Sequence, residues 1–172
     1  MSKPLVIVSC PADTYSGYGG RSRDFVQALL DLDKYDVKIL SQRWGNTRFG
    51  YLKDHGEDDL HSRLIYKVEK QPDIWIQITI PNEFQRVGKF NIGVTAGIET
   101  NLCDPSWIQG ANRMDLNLVS SNHAKEVLQN ARYEMTDKNN PNSKQTLALN
   151  SKIEVLFEGL RLDKYYKIKF TE

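Results

Sequence analysis

Leu5-Val6-Ile7-Val8 and Val37-Lys38-Ile39-Leu40 bracket the stretch that decides the fold. The first run is continuous, apolar and mostly β-branched, which suits a strand buried on both faces of a parallel sheet. After it comes a loop, Cys10 to Gly20, rich in glycine, serine and tyrosine. Phe25, Val26, Leu29 and Leu30 then recur at helical spacing, with Arg23, Asp24, Gln27 and Asp31 on the other face. The spacing predicts a helix from about Gly20 to Leu32. Strand, loop, helix and strand within roughly forty residues make a right-handed βαβ unit.

Working outward, four more apolar runs predict strands: Ile74–Ile78, Asn91–Thr95, Leu116–Val119 and Ile153–Phe157. Asp104-Pro105 predicts a helix start, with aspartate as N-cap and proline at the first helical position. Ser121 or Asn122 caps a further helix carrying Ala124, Val127, Leu128 and Ala131. After the acidic patch Glu57-Asp58-Asp59, a short helix is expected over Leu60 to Lys67. Residues Thr136 to Ser151, polar and rich in asparagine and lysine, read as a long exposed loop. The fold class is therefore α/β: a Rossmann-like open parallel sheet of about six strands with helices on both faces. One domain over residues 1–163, followed by a tail or interdomain linker at 164–172, accommodates the pattern.

Composition narrows the function classes. The 172 residues carry a net charge of +1, so no basic excess points to nucleic acid. Apolar runs fall far short of the ~20 residues that span a membrane. Cys10 and Cys103 are far apart with no CxxC pairing, which predicts a reduced, cytoplasmic setting. His55 and His61 lack a metal-ligand spacing, and no metal site is expected.

In open α/β sheets, ligands bind outside the carboxyl ends of the strands. Five polar or glycine-bearing segments follow the predicted strands: Gly17-Tyr18-Gly19-Gly20-Arg21, Pro81-Asn82-Glu83, Gly97 to Asn101, Ser121-Asn122-His123 and Glu158-Gly159. In the first, glycines permit close backbone approach, the following helix offers unpaired N–H groups, and Arg21 and Arg23 add charge, as an anion site requires. A flexible turn is the alternative. Glu99 is the candidate catalytic acid, presented by a turn at Gly97, either as general base or as acceptor from a sugar hydroxyl; otherwise it is a solvated loop acid. Gly17, Gly19, Gly20, Arg21, Glu83, Asn101, Ser121, Asn122 and Glu158 are the candidate substrate-binding residues. His123 reads as a capping-region residue, Trp75 as packing, and Trp107 as the better candidate for a sugar contact.

Gly17-x-Gly19-x-x-Ser22 meets only part of a dinucleotide fingerprint, its glycines come late, and no acid follows Leu40-Ser41-Gln42 to hold a ribose. A nicotinamide-type enzyme is disfavoured on those grounds.

Ser16 to Arg23, Gly93-Val94-Thr95-Ala96-Gly97-Ile98-Glu99-Thr100, Leu118 to Ala124 and Val155 to Asp163 together resemble successive elements of the N-terminal domain of GT-B glycosyltransferases. Phe157-Glu158 stands where the family pattern has Pro-Asn, and Asp163 is spaced more widely. The resemblance implies sugar transfer from a nucleotide-sugar donor, serving as substrate with no further cofactor, to a sugar or other acceptor. It also implies a donor-binding C-terminal domain in cis or in trans. Arg21 and the amides of Gly19 and Gly20 would face the diphosphate. The alternatives are a non-catalytic sugar- or nucleotide-binding module that uses the same rim, a subunit of a split enzyme, and an assembly role in which the exposed half-interface serves protein contacts.

Overall fold

The computed structural model describes residues 2–137 and 140–159. Seven strands form one parallel sheet: β1 (Leu5–Cys10), β2 (Asp36–Ser41), β3 (Leu64–Ile65), β4 (Ile74–Ile78), β5 (Phe90–Thr95), β6 (Leu116–Val119) and β9 (Lys152–Val155), in the order β3-β2-β1-β4-β5-β6-β9. Every neighbouring pair is parallel. A separate antiparallel pair, β7 (Arg132–Asp137) and β8 (Asn140–Ala148), completes the strands. The Rossmann-like sheet expected from the sequence is thus present, with one strand more than the six predicted.

Alternation along each strand sends adjacent residues to opposite faces. Val6 and Val8 of β1, Val37 and Ile39 of β2, Ile76 and Ile78 of β4 and Val94 of β5 lie on one face. Helix α1 (Gly17–Asp31) covers them through Val26, and the short helices α2 (Tyr51–Asp54) and α3 (Asp58–Ser62) add Leu52 and Leu60. Leu118 pairs with Val94 and shares that face, so its neighbour Val119 points the other way. There Val119 and Ile153 meet Ile108 of α4 (Pro105–Ala111) and Ala124, Val127 and Leu128 of α5 (Asn122–Asn130). Helices therefore flank both faces.

The predicted capping residues sit where the sequence placed them. Asp104 accepts from the amide of Ser106 with Pro105 at the first helical position, and Ser121 accepts from that of Ala124. Each cap is worth about 1 kcal/mol. Gly110 lets α4 press on the 3-10 turn Pro81–Glu83: a Cβ there would lie 1.8 Å from the Pro81 carbonyl oxygen.

Three expectations are corrected. The exposed loop at Thr136–Ser151 is largely the hairpin β7–β8, anchored because Tyr133 and Leu147 pack against the α4–α5 core cluster. The helix over Leu60–Lys67 is instead α3, ending at Ser62, followed by β3, whose residues pair with Ile39 and Leu40 of β2. Helix α1 begins at Gly17, so the glycines belong to its first turns. The boundary at 163 and the tail 164–172 lie outside the described residues.

Candidate functional site

The strand order reverses at β1, whose neighbours are β2 on one side and β4 on the other. Connections leave that point in opposite directions and open a crevice at the carboxyl ends of the strands. Its wall is the start of α1. Ser16, the N-cap, accepts from the Gly19 amide at 2.9 Å, and its hydroxyl lies 2.8 Å from that of Thr14, which donates to the Pro11 carbonyl at 2.8 Å. The Gly20 amide donates to the Ser16 carbonyl.

This network revises the roles of the glycines. The Gly19 and Gly20 amides are committed within the helix start, leaving the first-turn amides of Gly17 and Tyr18 nearest the crevice. Gly19 is required by packing: a Cβ would stand 2.4 Å from the Thr14 carbonyl oxygen. Gly17 is exposed, with open space where a Cβ would sit.

The two arginines separate. Arg23, 8% exposed, turns inward and donates to the carbonyls of Ala12 (2.7 Å) and Thr14 (3.0 Å). Its guanidinium lies 3.4 Å over the Tyr51 ring, and burial lowers its pKa. It shapes the loop and adds no charge to the crevice, contrary to expectation. Arg21 pairs with Glu158 at 2.9 Å and donates to the Leu156 carbonyl at 3.3 Å. Two residues predicted separately for the rim are therefore joined, and the chain leaving β9 is drawn to α1.

Tyr18 spans the crevice. Its hydroxyl accepts from the Ala96 amide at 3.1 Å and lies 3.3 Å from the Thr95 hydroxyl, at the end of β5. Its ring stacks on Trp44, with centroids 4.0 Å apart and planes at 20°. Sequence reasoning named Trp44, with Trp75 and Trp107, as a ring able to stack on a sugar face, but it gave Tyr18 no role and did not join the two: an aromatic between two glycines and a tryptophan in an irregular loop carry no periodic signal. Trp75 is buried, as expected. Trp107, favoured for a sugar contact, packs against the α4–α5 cluster instead.

The remaining candidates are spread along the same edge. Glu83 is exposed and accepts from the Thr79 hydroxyl. Gly97, at φ +89°, makes the predicted turn after β5, where a Cβ would meet that of Ala124 at 2.4 Å. Glu99 and Asn101, beyond it, are exposed; Glu99 has no partner among the described residues. The Ser120 hydroxyl donates to the Ala96 carbonyl, tying the β6 and β5 ends together. Ser121 is committed to its cap, while Asn122 and His123 are exposed. His55 stacks on Tyr51 at 3.9 Å. Among the described residues, no three His, Cys, Asp or Glu side chains gather into a metal-sized cluster, and no helix is long and apolar enough to cross a membrane.

A groove of about 720 Å³ lies away from this edge, floored by Leu5, Ile7 and Ile65 and rimmed by Lys38, Lys67 and Lys70. None of the candidate residues lines it.

No known protein family, curated protein or solved structure matches this chain.

Proposed function

We propose that the chain binds a nucleotide sugar along the carboxyl edge of its sheet and forms the acceptor-side half of a GT-B-type glycosyltransferase. The observation that carries this reading is the reversal of strand order at β1, beside the capped start of α1. A diphosphate there meets the amides of Gly17 and Tyr18 and the positive end of the helix. Arg21 contributes once its guanidinium is shared between Glu158 and the ligand. Glu99, alone among the three rim acids in having no partner within the described residues, is the group available to an acceptor hydroxyl. Leu102, Leu156 and Phe157 are exposed at this edge, which fits cover by a second domain.

One observation favours the non-catalytic alternative: among the described residues no side chain orients Glu99, whereas general bases are normally held in place by a neighbour. Calorimetric titration with UDP-glucose, UDP-N-acetylglucosamine, GDP-mannose and ADP-glucose tests binding. Transfer to acceptor, followed with the chain's donor domain supplied, tests turnover. Binding without turnover favours the module; no binding by any of the four sinks both readings.

A further inference from the structure

We infer that Trp44 is a stacking platform for the base of a nucleoside diphosphate. This rests on the nucleotide reading above and adds to it the residue that grips the base.

Trp44 is held from two directions. Its carbonyl accepts from the Thr47 hydroxyl at 2.6 Å and the Thr47 amide at 3.1 Å, closing a tight turn. Just before it, the Gln42 amide donates to the Cys10 carbonyl at 2.9 Å, and the Gln42 side chain donates to the Ser9 hydroxyl at 2.5 Å. Those bonds fix the loop to the end of β1. One face of the indole is seated on Tyr18, itself pinned through its hydroxyl to Thr95 and Ala96.

Trp44 is nevertheless only half-buried, and no second ring or cation stacks on it among the described residues. A large aromatic whose loop is tied down by four hydrogen bonds and whose stacking partner is pinned by two more, half-buried beside a ligand crevice and with no second ring stacked on it among the described residues, is preorganised to accept another flat ring. Tyr18 belongs to the first turn of α1, so a ring on Trp44 is one stacked layer beyond the residues that face the phosphates. A nucleobase fits because every base offers a π-face and stacks without needing a particular hydrogen-bond pattern.

The three tryptophans of the chain make this directly readable. Trp75 is buried and Trp107 packs against the α4–α5 cluster, so quenching that survives in Trp107→Phe reports a base stacking on Trp44. Intrinsic fluorescence and calorimetry are measured while titrating ADP, GDP, UDP, CDP and dTDP into the wild-type protein and into Trp44→Phe, Trp44→Ala and Trp107→Phe, with circular dichroism as the check on folding. At least one diphosphate quenches emission in the wild type and in Trp107→Phe. The quenching vanishes in Trp44→Phe, and Trp44→Ala loses affinity by about five- to 150-fold.

Wild-type affinity in folded Trp44→Ala overturns the platform and leaves nucleotide binding standing. Should Trp44→Ala not fold, quenching that persists in Trp44→Phe overturns the platform equally. If none of the five diphosphates binds the wild type, the nucleotide reading falls and the platform with it.

Discussion

The Arg21 guanidinium lies 2.9 Å from the Glu158 carboxylate and also holds the Leu156 carbonyl, 135 residues away in sequence. The Arg21 side chain is 11% exposed and that of Glu158 55%, so a mostly buried cation is balanced by an anion that water can reach. The pair sits beside the crevice, where Glu158 competes with any anionic ligand for the same donors. Glu158→Gln is expected to cost under about 1 kcal/mol of stability, because the carboxylate is largely solvated. It should raise affinity for a nucleoside diphosphate, by a margin that shrinks as salt is added. Arg21→Ala should lower that affinity and cost about 1–2 kcal/mol, since the buried stem is lost as well. Urea melts and calorimetry check both signs; tighter binding in Arg21→Ala would remove the residue from the site.

Gly17 and Gly19 are two residues apart and respond oppositely to an added methyl. Gly19→Ala drives a Cβ against the Thr14 carbonyl, a backbone atom that cannot move alone. A loss of about 1–3 kcal/mol is expected. Gly17→Ala meets open space and should be neutral, or stabilising by up to about 1 kcal/mol through the lost backbone freedom of glycine. Thermal melts of the two variants decide; equal effects would contradict this packing of α1.

Cys10 is fully buried, and burial pushes its thiol up to about 12 from an ordinary 9.0. A raised folded pKa means that the neutral thiol is favoured in the native state. Its contribution to stability is complete below pH 9 and is lost as pH rises from 9 toward 12. In a Cys103→Ser background, the native protein should leave a thiol-specific reagent unreacted at pH 8 and release one equivalent on unfolding. Cys10→Ala should flatten the alkaline decline in stability. Rapid native labelling would show that the end of β1 is open.

At the other end of the pH scale, a hydrogen bond from Lys89 at 2.7 Å holds the Asp73 carboxyl below its ordinary 3.8, and the Leu5 amide assists at 2.9 Å. A depressed pKa gives stability that is present above pH 3.8 and lost as pH falls through the lower folded value. Asp73→Asn should therefore be less stable than wild type at pH 7, with the difference narrowing in acid. Denaturation midpoints from pH 7 to 2 test it; a gap that widens on acidification would contradict the sign.

The parts of the fold that were legible share a physical cause. Strands β1 and β4 are buried on both faces, and β2, β5 and β6 each bury at least alternate residues, so their apolar runs stand out without any partner in view. Asp104 and Ser121 announce helices because a cap acts locally. What was hidden depends on distant partners or mixed signals. Leu64 and Ile65 are too few to show a period, and only pairing with Ile39 and Leu40 makes them a strand. In the hairpin, Tyr133 lies across from Leu147, but Asn140, Pro141 and Asn142 give the stretch a loop's composition. The start of α1 was masked by glycines, although Ser16 three residues before Gly19 was the available clue. On the candidate edge, Arg21 and Glu158 could be named but not paired, and no feature of the sequence brought Trp44 to Tyr18.

Placing β1 at the centre of the sheet also sets a schedule for biosynthesis. As the chain emerges, β1 and β2 can pair early, but the other side of β1 waits for Ile74–Ile78. In that interval Val6, Ile7 and Val8 present an unpaired backbone edge to every other nascent chain nearby. The ribosome-bound intermediate, rather than the finished protein, is then the state most exposed to aggregation and the one with most to gain from a chaperone.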